Sequence, residues 1–304
     1  MGSNPSTPPG EGSEPEILPP AYGPAGYPAS GYRGGGYTVV PPPVPPPRPR
    51  RRWAFAPATY TLLGINCAVY ALMVLTGVSP FKPSSESLLA WGADNAGAVL
   101  YFGQWWRIGA AMFVHGGFLH LALNMWCLWN LGLLAEPLMG TIGVFAVYLL
   151  TGAAGNLLST CYNWFTYHNL EGGAAGLVGP VGVGASGAIF GIAGALIVLL
   201  KSNRLPVPPD ELKKLRRSVI YFAAINLVIG FSIQVGTSAI GAGVGVDNMA
   251  HVGGFACGLL FAAPMVPRIG SPRNSFTLRL RAAVGIVVGV LALFGFFLAQ
   301  QPPR

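Results

Sequence analysis

Two short segments of this chain carry the side chains of acyl-transfer chemistry. Gly184-Ala185-Ser186-Gly187 opens one apolar stretch, and Ala250-His251-Val252-Gly253-Gly254 opens another. A serine hydroxyl is a poor nucleophile until a base takes its proton, and an imidazole within hydrogen-bond reach is the commonest such base. Gly184 and Gly187 permit a tight turn into the serine and close approach of a substrate backbone. Both segments are apolar enough to enter a bilayer, where polar groups are costly and rarely stay without a role. The pairing points to a hydrolase working within a membrane.

Acyl transfer also needs donors for the developing oxyanion. His120 and Asn124 lie one turn apart on the face of a third apolar segment. Both can donate, and the Ser186 backbone N–H at a helix start is a third candidate. The alternative for Asn124 is a hydrogen bond between helices that only packs. Phe190, one turn after Ser186, is placed to stack on the His251 ring or to pack in the ordinary way. Asp247, four residues before His251, either completes a triad or is, like Asn248, a candidate cap of the helix; a Ser186–His251 dyad is the favoured arrangement. His115 reads as structural and His168 as an exposed loop residue. No HExxH motif occurs, and acidic residues are scarce in the apolar segments, so a metal is not expected.

The elements that hold these residues are membrane helices by composition. The 304 residues are 52% hydrophobic and 9% charged, against roughly 25% charged in soluble domains. Mean hydropathy is +0.52. The net charge of +8 does not imply a nucleic-acid partner, because the basic residues cluster between apolar stretches as topology signals. Cys67, Cys127, Cys161 and Cys257 form no CxxC pair and read as packing residues.

Residues 1–56 form a tail that holds 15 of the 28 prolines. Tyr22, Tyr27, Tyr32 and Tyr37 repeat every five residues among Gly, Pro and Ala. Such a segment builds no core and is expected to be disordered and cytoplasmic. Pro41–Pro49 resembles a polyproline II ligand, a candidate site for a polyproline-binding partner, or else serves as a spacer. The tail lacks the apolar core of a signal peptide, so the first membrane helix is expected to act as the insertion signal. Arg48, Arg50, Arg51 and Arg52 precede the first apolar run.

Seven apolar segments follow, near 57–77, 117–138, 141–162, 185–200, 217–235, 249–266 and 280–299. Most approach the ~20 residues that cross a hydrocarbon core. The 78–116 connection, with Trp91, Trp105 and Trp106, suits short helices lying at the interface. With seven spans and the N-terminus inside, 15 of the 18 Lys and Arg residues fall on the cytoplasmic side and 3 outside. That bias predicts the C-terminus outside. It also sets depth. Ser186, His251 and His120 stand 15, 17 and 16 residues from the inner flanks of their segments at Lys201, Arg268 and Glu136. At 1.5 Å per residue these are ~22–25 Å, one polar layer just below the outer face. Gly187 and Gly191, like Gly254 and Gly258, have the four-residue spacing that lets membrane helices approach closely, and close backbones are expected to bring the Ser186 oxygen within hydrogen-bond reach of the His251 imidazole.

These motifs resemble those of rhomboid intramembrane serine proteases. Gly184-Ala185-Ser186-Gly187-Ala188-Ile189-Phe190-Gly191 is similar to the family's GxSGxxFG. Ala250-His251-Val252-Gly253-Gly254 with Gly258 is similar to AHxxGxxxG, His120–Asn124 to HxxxN, and Trp106-Arg107 to the WR of its first loop. The resemblance covers 57–266 and implies an all-α polytopic fold with a six-helix core; the cytoplasmic loop and seventh C-terminal helix of 267–304, and the 1–56 tail, depart from that bare core. It implies a Ser186 nucleophile, a His251 base, oxyanion donors from His120, Asn124 and the Ser186 N–H, and no metal or cofactor. Gly184, Gly187 and Phe190 support them. It further implies cleavage of single-span membrane proteins near their outer boundary, by lateral access from the lipid bilayer past span five. A bacterial cytoplasmic membrane is the expected location. The competing readings are a catalytically silent rhomboid-like protein that binds membrane clients, and a transporter. The transporter reading lacks the internal repeat and midplane polar site of that class.

Overall fold

The structure is a computed structural model that describes residues 55–167, 179–202, 205, 207–239, 247–265 and 272–301. The tail through Ala54 lies outside the described residues, with its tyrosine repeat, its Pro41–Pro49 run and its arginines. So do His168 and Arg268. Among the described residues every regular element is helical, and the only extended pairing is an isolated bridge between Asp94 and Gly182.

Helix α1 (Pro57–Leu75) starts with proline, which costs nothing where the N–H has no helical partner. It has no cap of its own. Glu136 supplies one from another helix: Oε1 accepts from the Ala58 N–H at 2.8 Å, and Oε2 accepts from the Thr59 N–H at 3.0 Å and its hydroxyl at 2.8 Å. Thr141 donates a further 2.9 Å bond to Oε1. A carboxylate at a helix N-terminus satisfies free N–H groups and the helix dipole together. That accounts for an acid only 4% exposed in so apolar a chain.

The connection after α1 folds into the short helices expected of it. These are α2 (Ser85–Ala90), capped by Ser84, α3 (Ala96–Leu100), capped by Asn95, and α4 (Arg107–Ala110), which tightens into a 3₁₀ turn over Ala111–Phe113. Helix α5 (Phe118–Tyr167) has 50 residues. A straight helix of that length would run ~75 Å, more than twice a hydrocarbon core. It is instead two limbs joined at Gly140, whose φ of 69° and ψ of 167° are not helical. The limbs occupy the second and third apolar segments.

Helix α6 (Ser186–Leu199) is 14 residues long and buried on every side from Gly187 to Leu196. A helix apolar all round belongs at the centre of a bundle, and α6 packs against α5 and α8 there. Helix α7 (Pro209–Ala239) begins with a charged turn. Helix α8 (Asn248–Ala262) is capped by Asp247 and ends in a 3₁₀ turn at Ala263–Met265. Helix α9 (Arg273–Ala299) buries only Leu280, Ala283, Val287 and Leu298. Leu298 clusters with Val99, Ile108 and Leu157, so the last helix braces the α3–α4 connection.

Three helices among the described residues are long and apolar enough to cross a membrane: α1, α5 and α9. α6 is apolar but shorter. α7 and α9 begin earlier than the sequence segments, at Pro209 and Arg273, because amphipathic first turns extend each helix beyond its apolar run.

Candidate active site

Ser186 is the first residue of α6, and an extended stretch from Gly179 leads into it. That stretch is pinned at two points. Gly182 exchanges backbone hydrogen bonds with Asp94 at 2.8 and 2.9 Å, and the Gly184 N–H donates to the Ala111 carbonyl at 3.0 Å. Gly184 has φ of +114°, a conformation open to glycine and strained for other residues. A Cβ there would lie 2.8 Å from both Cε1 and Nε2 of His120 and 3.5 Å from Asn124 Nδ2. His120 and Asn124 therefore press on the peptide two residues before Ser186.

On the other side of Ser186, the neighbouring Gly187 meets the residue before His251. A Cβ on Gly187 would be 3.2 Å from the Ala250 carbonyl oxygen. Gly254 and Gly258 in turn rest on the backbones of Gly187 and Gly191. The small-residue spacing read from the sequence is thus a backbone-to-backbone contact between α6 and α8. Phe190 stacks on the His251 ring with centroids 4.3 Å apart and planes 12° from parallel.

The side chains are held as follows. His120 Nδ1 accepts from the Gly116 N–H at 3.3 Å. Because that partner can only donate, the neutral ring carries its proton on Nε2, the nitrogen beside Gly184. Asn124 Nδ2 donates to the His120 carbonyl at 3.1 Å. His251 is 5% exposed, and its Nδ1 has no hydrogen-bond partner among the described residues. No hydrogen bond joins Ser186 to His251, so the contact expected from close helix backbones is not closed here. Asp247 does not reach the imidazole either. Its carboxylate accepts from the Ala250 N–H at 2.9 Å and from the Ser159 hydroxyl at 2.5 Å, which makes it the helix cap. His115 is fully buried, donates through Nδ1 to the Phe113 carbonyl at 3.2 Å, and stands edge-on to His120 at 5.4 Å.

Behind the serine the structure sets Arg107, from the Trp106-Arg107 motif, beside acidic and polar residues that the motifs do not single out. Arg107 donates to the Leu89 and Ala93 carbonyls at 2.7 and 2.9 Å and to Gln104 at 2.6 Å. Its guanidinium also lies 4.7 Å from the centre of the Trp106 ring. This knot fixes the chain next to Asp94. The Asp94 carboxyl accepts from Thr160 Oγ1 at 2.9 Å and is 2% exposed. Burial pushes its pKa up to about 7 against the lowering effect of the Thr160 bond, and the nearby Asp247 pushes the same way. Asp247 is also raised by burial, opposed by its hydrogen bonds to Ser159, Ala250 and Met249. A signal existed in the sequence: Asp94 and Glu136 are two of only ten acidic residues, and neither has a basic residue near it in the chain to pair with.

A family model described as Rhomboid domain matches residues 102–268, more than half of the chain and all of the residues just placed around Ser186 except Asp94 and its neighbours. This chain belongs to the rhomboid family. It is 29% identical to Rhomboid protease GluP of Bacillus subtilis over 230 residues, which is 75% of this chain and 38% of GluP. It is 31% identical to Rhomboid protease AarA of Providencia stuartii over 211 residues, 67% of this chain and 70% of AarA. It is 32% identical to RHOMBOID-like protein 1 of Arabidopsis thaliana over 178 residues, 59% of this chain and 39% of that protein. The match thus spans well under two thirds of GluP and of RHOMBOID-like protein 1. This rhomboid is an integral membrane protein with relatives in bacteria and a plant.

Proposed function

We propose that this rhomboid is an intramembrane serine endopeptidase working through a Ser186–His251 dyad. The observation that carries the reading is the position of Ser186 at the first turn of α6. The His120–Asn124 helix presses on Gly184 just before it, and the His251 helix presses on Gly187 just after it. In the proposed reaction His251 takes the proton of Ser186 Oγ as that oxygen attacks the scissile carbonyl carbon. The carbonyl π electrons move onto oxygen, which is stabilised by the Ser186 N–H, His120 Nε2–H and the Asn124 amide. The C–N bond then breaks, and the amine leaves with the proton from His251. Water, deprotonated by His251, hydrolyses the acyl-enzyme and frees Ser186. With Asp247 used as a cap, the Phe190 stack is what remains to orient the imidazole.

The substrates proposed are single-span membrane proteins cut near the outer membrane face. The proposed topology has seven spans, a cytoplasmic N-terminus and an outer C-terminus, with 57–266 as the protease core, 1–56 as tail and 267–304 as the appended helix. A bacterial cytoplasmic membrane is the proposed location. A second reading, a silent rhomboid-like protein that binds membrane clients, draws on one observation: Ser186 and His251 are not hydrogen-bonded. Reactive hydrogen bonds often close only when substrate is bound, so we favour the protease. The deciding experiment incubates purified wild type and Ser186→Ala with a model single-span substrate, and labels both with a fluorophosphonate probe. Cleavage and labelling by wild type alone are expected. A well-folded wild type that neither cleaves nor labels would give the silent reading.

A further inference from the structure

Resting on the Ser186–His251 reading, we propose that Asp94 and Asp247 form one carboxyl pair that positions the two reactive helices relative to each other. The pair stands where three elements cross behind Ser186. The backbone of Asp94 makes the two-bond bridge to Gly182, four residues before Ser186. The side chain of Asp247 caps α8 four residues before His251. The carboxyls converge on one point beside Gly182: a Cβ there would be 3.2 Å from Asp247 Oδ2, 3.5 Å from Asp94 Cβ and 3.9 Å from Asp94 Oδ2. They are seated on consecutive hydroxyls of α5, Asp247 on Ser159 and Asp94 on Thr160. Asn163 donates to the Ser159 hydroxyl at 3.3 Å and so fixes that seat. Asn95 adds a third tie, donating from Nδ2 to the Gly179 carbonyl at 3.1 Å. The segment leading into Ser186 and the cap over His251 are therefore held by neighbouring side chains on α5.

Two acids that face one site cannot both ionise there at low cost. The charged groups around Asp94 among the described residues are Asp247, which opposes its ionisation, and Arg107, which favours it weakly while spending its donors on Leu89, Ala93 and Gln104. With the Asp94 proton present, at most one charge is left in the pair and the clasp closes. With it gone, like charges meet beside Gly182 and the clasp loosens. The direction for stability follows. The folded pKa of Asp94 is raised from 3.8 to about 7. Its contribution is therefore full below its unfolded pKa and is lost as pH rises from there toward 7.

The test compares wild type, Asp94→Asn and Thr160→Val, purified in detergent, between pH 4 and 8.5. It reads the melting temperature and the rate of fluorophosphonate labelling of Ser186. Asparagine keeps the shape of the neutral acid and cannot ionise, while Ser186 and His251 are present in all three proteins. Wild type is expected to lose melting temperature relative to D94N between pH 4 and 7. It is also expected to fall roughly tenfold or more behind D94N in labelling rate by pH 8.5, as befits one group titrating near 7. T160V removes the bond that lowers the Asp94 pKa, so its labelling midpoint moves to higher pH. Parallel profiles for wild type and D94N in both readouts would overturn the proposal, as would a midpoint in T160V unchanged or moved down. Failure of the protease reading looks different. Wild type would not label at any pH, which would end the claim of positioning for catalysis, and the melting comparison would still decide whether the clasp exists.

Discussion

The contact between α6 and α8 makes an asymmetric prediction about two glycines that a sequence pattern would treat as equivalent. In Gly254→Ala the new Cβ would be driven into the Gly187 carbonyl oxygen, with the carbonyl carbon 2.7 Å and the Gly187 Cα 3.2 Å away. Every one of these atoms is backbone, so no side chain can swing aside. Opening 2.7 Å to the ~3.5 Å of ordinary carbon contact requires the helices to part by close to ~1 Å. Overpacking of this kind costs about 1–3 kcal/mol of stability. Ser186 lies one residue from the contact on α6 and His251 three residues from it on α8. A misplacement of ~1 Å between reacting groups costs about 100-fold in rate. Gly187→Ala is different. Its Cβ would be 3.2 Å from the Ala250 carbonyl oxygen and 3.7 Å from the carbonyl carbon, which a shift of a few tenths of an ångström relieves. The assay is fluorophosphonate labelling of Ser186, with the melting temperature of each variant in the same detergent. G254A is expected to label about 100-fold more slowly while still showing a cooperative melt at lower temperature, and G187A to stay within roughly threefold of wild type. Equal rates for G254A and wild type, or a G187A slower than G254A, would refute the idea that this backbone contact sets the geometry of the site.

Three further outcomes are expected. Asn124→Ala should slow substrate cleavage by roughly 10- to 1000-fold in kcat if the amide turns from the His120 carbonyl to the oxyanion; an unchanged kcat would leave it as a packing residue. Phe190→Leu keeps bulk and removes the stack on His251, worth about 0.5–1.5 kcal/mol for an aromatic pair, so kcat should fall roughly 2- to 12-fold with KM little changed, and a KM-only effect would tell against an orienting role. Glu136→Gln places an amide NH2 among donors that all need an acceptor. Its melting temperature should fall by the equivalent of about 1–3 kcal/mol, and wild-type stability in that variant would show that the α1 cap is dispensable.

The sequence exposes what repeats at short range. Glycines four apart on α6 and α8 do meet, and Phe190, one turn from Ser186, does lie on the His251 ring. Those relations are periodic within single helices, so spacing alone places them on a shared face. Glu136 and Asp94 are not legible in the same way. Glu136 accepts from the N–H of Ala58, 78 residues earlier, and Asp94 takes its side-chain bond from a residue 66 positions later. No local period encodes such pairings, and their only trace is an acid in a segment too apolar to carry one without cause. The imidazole hydrogen bond to Ser186 was expected from the same close backbones that the structure shows. Proximity of two main chains fixes Cα positions, but rotamers are set by what else the side chains touch, and here the stack on Phe190 holds the ring.

The long connection between α1 and α5 follows from the shortness of α6. Fourteen residues make a helix of ~21 Å, well under a ~30 Å hydrocarbon core. If the far end of α6 stays near one face, Ser186 must begin below the other. The chain that reaches it is then extended backbone at membrane depth. Such backbone has no helical partners, and lipid offers none, so it survives only where protein satisfies its polar groups. The groups that do so come from the connection: Asp94 pairs both ways with Gly182, the Ala111 carbonyl takes the Gly184 N–H, and the Asn95 side chain holds the Gly179 carbonyl. Arg107 keeps that segment folded from within by binding its carbonyls at Leu89 and Ala93. A serine sunk below the surface thus requires a second folded layer beside it, and residues 78–116 are that layer.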